Sequence, residues 1–148
     1  MTRRIAPLRS VNARGGNSLP MRTLVSILES LGCVGVRTYI QSGNAVFDGV
    51  AAPNDISARI EAHFGFRPHV FVLSAASLKK AAACCPFARE ASAAPKSVHV
   101  FFLESVPATG AVADLGALKA RREDFAVAGS SSASIRLGPS TSLKSPTR

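Results

Sequence analysis

Between Arg37 and Gly49 the chain reads RTYIQSGNAVFDG, two strand-like runs meeting at Ser42-Gly43-Asn44. A connection this short leaves no room for a crossover, so the two runs must pair antiparallel as a hairpin. The first run, Val34 to Gln41, sets Val34, Val36, Thr38 and Ile40 on one side and Tyr39 and Gln41 on the other. The second, Ala45 to Asp48, returns from a turn in which Gly43-Asn44 suits positive φ angles and Ser42 can bond the turn backbone. On both sides of the hairpin the apolar period lengthens to that of a helix. Before it, Met21, Leu24, Val25, Leu28 and Leu31 recur at helical spacing behind Pro20, and Gly32 supplies the stop. After it, Pro53 to Phe64 carries Ile56, Ile60, His63 and Phe64 on one face, with Asn54 as the expected cap.

Outside these helices, Arg3 to Ser10 and His69 to Leu73 read as strands. The order becomes β-α-β-β-α-β, which predicts a ferredoxin-like unit: a four-stranded antiparallel sheet with both helices on one face. The chain then begins something similar. Ser74 caps a helix running to about Cys84, Ser97 to Leu103 is a strong strand, Thr109 to Arg122 is helical, and Asp124 to Ala128 is a short strand. After Gly129 the composition turns to Ser, Pro and basic residues, with an apolar hint at Ile135 and Leu137. The expected class is therefore α+β. Residues 1–73 form a ferredoxin-like subdomain, 74–128 a partial second one lacking its last helix and strand, and 129–148 a divergent, disordered tail.

With 148 residues, 47% of them apolar, the chain can bury a core. Its N-terminus has arginines but no apolar run of signal-peptide length, and no segment approaches a membrane span, so a cytoplasmic protein without membrane partners is expected. Cys33, Cys84 and Cys85 have no metal-ligand spacing, which argues against a disulfide framework or zinc site. No metal or cofactor is expected. The formal charge of +9 invites a nucleic-acid reading. Against it, the basic residues are dispersed, and a single Tyr without Trp gives little aromatic interleaving.

Two segments could bind a ligand. In the first, Arg9, Asn12, Gly15 and Asn17 precede a helix N-terminus, where backbone N–H groups can cradle an anion. The alternative is a connection whose Asn side chains cap its own turn. In the second, Tyr39, Gln41, Ser42 and Asn44 crowd the hairpin, where the alternative is a structurally required turn. Sequence alone does not show whether the two segments share one end of the sheet. His63, His69 and His99 are scattered, and no carboxylate pair stands out for catalysis.

The stretches Leu8-Arg9, Asn12, Gly15, Asn17, Pro20-Met21, Leu31-Gly32, Thr38 to Asn44 and Val46-Phe47 together resemble the bacterial family called domain of unknown function 1697. Pro86-Phe87 and the Lys96 to Leu103 run extend the likeness to roughly residues 3–128. The resemblance implies two ferredoxin-like halves and no particular activity. This chain departs from it in four places. Pro7 stands where the family strand has Leu, and Ser10 and Arg14 replace loop glycines. The end after Gly129 matches none of the family's closing helix and strand, as a frameshifted or divergent terminus would. The expectation is a non-catalytic module binding an anionic ligand or nucleic-acid phosphate. An enzyme using the same cleft, and a truncated member without function, remain as alternatives.

Overall fold

A computed structural model describes residues 2–13, 16–118, 123–128 and 132–136. The chain divides into two compact units, Met1–Leu78 and Lys79–Arg148. In the first, β1 (Arg3–Arg9), α1 (Met21–Ser30), β2 (Val34–Tyr39), β3 (Asn44–Asp48), α2 (Pro53–Phe64), β4 (His69–Val70) and β5 (Leu73–Ser74) follow in order. The strands lie as β2-β3-β1-β4, with β5 also on β1, and every pairing is antiparallel.

Both helices form for local reasons the sequence states. Leu24, Ile27 and Leu28 make the buried stripe of α1. Its end is a Schellman closure: Gly32 at φ 82° donates to the Glu29 carbonyl and Cys33 to that of Leu28. In α2, Ile56 and Ile60 are buried, and Gly65 at φ 75° ends the helix. The cap of α2 is Ala52, not Asn54, because Pro53 takes the first helical position, where its missing N–H costs nothing. Ser57, also buried, donates to the Pro68 carbonyl at 2.9 Å and ties α2 to the approach to β4.

The helix stripes meet Ala6, Leu8, Ala45, Phe47 and Val70, the alternate residues of the sheet that form one core with them. Full burial of Phe47, Leu24, Leu28, Ile56 and Ile60 contributes about 1.5–3 kcal/mol for each side chain. The opposite sheet face, carrying Arg9, Arg37, Tyr39 and His69, is exposed.

Pro7 lies in a strand paired on both sides, yet the ladder absorbs it. Leu8 donates to the Gly43 carbonyl, so even-numbered residues of β1 address β3 and Pro7 addresses the other neighbour. There Phe71 donates to the Pro7 carbonyl at 3.1 Å, but Pro7 has no N–H to return. The expected strand from His69 to Leu73 therefore appears as two short pieces, β4 and β5. They share one continuous register with β1: Arg9 opposite His69, Leu8 opposite Val70, Ile5 opposite Leu73, Arg4 opposite Ser74. The defect is on the outermost strand.

In the second unit, α3 (Ala75–Ala83), which begins within the first unit, is followed by α4 (Ala88–Ala93) and a 3-10 turn at Pro95–Ser97. After these come β6 (Val98–Phe102), α5 (Thr109–Leu118), β7 (Asp124–Ala128) and β8 (Ser132–Arg136). Ser74 Oγ accepts the Ser77 N–H at 3.0 Å, as an N-cap does. The reading of 129–148 as a tail needs correction, because β8 is the middle strand of a β6-β8-β7 antiparallel sheet. Serine dilutes its alternation, and its pairing is supplied by strands on both sides. The rest of that stretch lies outside the described residues. Among the described residues, Ala81 and Phe87 are the buried hydrophobics of this unit, while Phe101, Val106, Leu115 and Leu118 are exposed. Among the described residues of either unit, no helix is long and apolar enough to cross a membrane.

Pro7→Val should place an N–H against the Phe71 carbonyl, and that amide should exchange with solvent at least a hundredfold more slowly than an unstructured one. Stability should change by less than about 1 kcal/mol, since the bond gained is offset by the entropy the unfolded chain recovers. Rapid exchange at position 7 in an NMR experiment would refute the assigned ladder.

Candidate functional site

The β1–α1 loop and the β2–β3 turn meet at one end of the first sheet, and Asn12 joins them. Its Oδ1 accepts the Leu19 N–H at 2.8 Å, while its Nδ2 donates to the Leu19 carbonyl at 2.7 Å and the Gln41 carbonyl at 2.8 Å. The side-chain amide thus serves Leu19 as a neighbouring strand would and holds the turn with its remaining proton. Leu19, fixed in this way, is fully buried. Asn12 itself has φ 50°, a left-handed conformation that Asn adopts more readily than most residues. Packing adds to the clasp. A Cβ placed on Gly43, whose φ is 84°, would collide with Val11 Cγ2 and crowd Leu8.

Other groups of the loop serve the loop. Asn17, at φ 55°, donates from Nδ2 to the Ser10 carbonyl at 3.0 Å, and its own carbonyl accepts the Asn12 N–H. Gly16 N–H turns to the Ala13 carbonyl. With the Leu19 N–H also engaged, the loop amides at Asn12, Gly16 and Leu19 point onto internal acceptors. Pro20 has no N–H at all. Three of the described backbone amides ahead of α1 are thus taken up inside the loop. Gly15, and Arg14 beside it, lie outside the described residues.

The hairpin differs from its sequence reading in three residues. β2 ends at Tyr39, and Ile40 to Gly43 form the turn. Ile40, expected among the inward apolar residues, stands 63% exposed at φ 49°, a conformation β-branched residues rarely take. Gln41 leaves the strand face and contributes its carbonyl to Asn12. Asn44 opens β3, paired with Tyr39, and donates to Ser42 Oγ at 2.8 Å. Ser10, Asn12, Asn17 and Ile40, the non-glycine positive-φ positions of the described residues, all lie at this end. Held strain of this kind costs about 1–3 kcal/mol per residue and persists where surrounding contacts enforce it.

What the site presents outward is charge and one aromatic ring. Tyr39 is 71% exposed. Arg9 and Arg37 are exposed on the same face, and neither has a carboxylate partner among the described residues. At the other end of that face, Arg3 forks onto Asp48 with bonds of 2.9 and 2.8 Å. Those bonds hold the Asp48 carboxyl below its ordinary range and neutralise that end. Of the two exposed guanidinium groups, Arg9 lies beside the loop and Arg37 midway along the face. Cys33 is buried, and burial pushes its thiol up, as suits a core filler. Among the described residues, no three His, Cys, Asp or Glu side chains gather closely enough to hold a metal ion.

The architecture defines an α+β protein whose first unit carries a basic, polar loop-and-hairpin end on an antiparallel sheet. The chain belongs to the family described as Protein of unknown function (DUF1697), whose model matches residues 1–131. Among solved structures it is similar to conserved bacterial protein SP0830 from Streptococcus pneumoniae, with a TM-score of 0.69 at 20% identity. The match covers 93% of this chain and 78% of that one, and it shows a shared fold. None of the curated proteins matches the sequence.

Asn12→Ala should lower stability by about 2–4 kcal/mol in a urea melt, since three hydrogen bonds go and part-buried backbone groups lose partners. A loss below about 0.5 kcal/mol would show that the clasp is incidental.

Proposed function

We propose that this chain is a non-catalytic binding module for an anionic ligand such as a phosphate-bearing group, held at the loop-and-hairpin end of the first sheet. One observation carries the reading. Asn12 ties the loop to the turn, Arg9, Arg37 and Tyr39 stand exposed on one face, and Asp48 on that face is paired with Arg3. Arg9 and Arg37 are the ligand's charge partners, because guanidinium donors match phosphate geometry and are fixed in charge. Asn12 and Asn17 are scaffold, their amides already engaged. The side-chain amide of Gln41, the Ser42 hydroxyl and Asn44 line the turn and offer neutral hydrogen bonds beside the guanidinium groups.

The three histidines lie on different elements. His63 Nδ1 lies 2.8 Å from the Arg59 carbonyl on α2, His69 packs edge-on against Phe71, and His99 belongs to β6 of the other unit.

Inorganic tripolyphosphate tests the proposal without presuming a ligand. Its affinity, measured by calorimetry, should fall steeply as salt rises, and Arg9→Gln should weaken it on the order of tenfold. Arg59→Gln, on the helix side of the sheet, should leave it within twofold. Absence of binding, or equal losses from both substitutions, would overturn the assignment.

A further inference from the structure

The outward face of the first sheet does more than gather charge. Register places Tyr39 beside Asn44 and Asn44 beside Pro7, and Phe71 bonds Pro7 from the far side. Tyr39 and Phe71 therefore stand at the two ends of one row, across three strand spacings or about 14 Å. His69 lies on the same face as Phe71, their ring centroids 4.7 Å apart and their planes at 67°. Arg9 sits one row nearer the hairpin and Arg37 one row further from it, both exposed.

A small anion would use the guanidinium groups and leave the rings idle. A ligand that uses both needs repeated negative charge on one edge and flat faces on the other. Single-stranded nucleic acid has that chemistry, and a duplex, whose bases are stacked on each other, does not. Sheets that read RNA bear their aromatics on the central strands. Here the central strands offer Asn44 and Pro7, and the rings stand on the flanks. Stacking is thus expected at two separated nucleotides, with those between them crossing a flat, weakly polar surface.

We propose that this face binds single-stranded nucleic acid, with bases stacking on Tyr39 and Phe71 and phosphates pairing with Arg9 and Arg37. The inference rests on the anion-binding role above and names its ligand.

The chain carries its own reporter, because Tyr39 is the one tyrosine and there is no tryptophan. The probes are a short mixed-sequence single-stranded DNA, an abasic deoxyribose-phosphate oligomer of equal length, and the corresponding duplex. The single strand should quench Tyr39 emission and bind on the order of tenfold more tightly than the abasic oligomer. Tyr39→Leu, at an exposed position, should remove most of that advantage, bringing the ratio of the two affinities toward one. Equal affinity for the two oligomers with unquenched emission would overturn base stacking and leave the anion role standing. Tighter binding to duplex than to single strand would overturn it as well. If no probe binds, both proposals fall.

Discussion

One side-chain amide decides how this sheet ends. Asn12 uses its carbonyl oxygen and both amide protons, two contacts on Leu19 and one on Gln41. The contacts on Leu19 lock a loop residue into the core, where its burial contributes about 1.5–3 kcal/mol. The contact on Gln41 joins segments 29 residues apart in sequence. Without such a clasp the loop would gain freedom at about 1–2 kcal/mol per released residue, and the left-handed conformations around it would relax. Asn suits the position doubly: it tolerates φ 50°, and its short planar amide carries one acceptor oxygen beside two donor protons.

The outward face follows from this end and from the ladder beneath it. Pro7 removes one donor, but its orientation toward the outermost strand confines the loss to a single missing bond opposite Phe71. Its pyrrolidine ring then becomes part of the outward row between Asn44 and Phe71. Arg3 and Asp48 pair at one end, which leaves Arg9 and Arg37 as the exposed charges of the described outward face. Screening at physiological salt acts over about 8 Å, so this local pattern governs a bound ligand more than the chain's total charge does.

Much of the first unit was legible because its signals are local. Two amphipathic stripes, Pro20, Pro53 and Gly32 mark the helices, and a short polar connection forces the hairpin. Other features depend on partners distant in sequence. Nothing near Asn12 says that its amide will reach Leu19 and Gln41, and without that contact the two candidate segments remain two loops. Period-two alternation carried Ile40 and Gln41 into the strand, whereas the positive φ at Ile40 breaks the alternation after Tyr39. Phe71 was missed as a face residue because its direction is defined only by register with Pro7. In β8 the serines weaken the strand pattern, and pairing with β6 and β7 supplies what composition lacks.

The candidate residues therefore separate by task. Asn12 and Asn17 build the end of the sheet, and Gln41 gives its backbone to the same purpose. Arg9 and Tyr39 face outward, joined by Arg37 and Phe71, which sequence alone did not single out. The direct measurement is hydrogen exchange of the two Asn12 Nδ2 protons by NMR, with nuclear Overhauser contacts assigned from each. The account predicts slow exchange for both protons, one showing contacts to the Leu19 region and the other to Gln41. Exchange of either proton at the rate of a free asparagine amide, without those contacts, would contradict it.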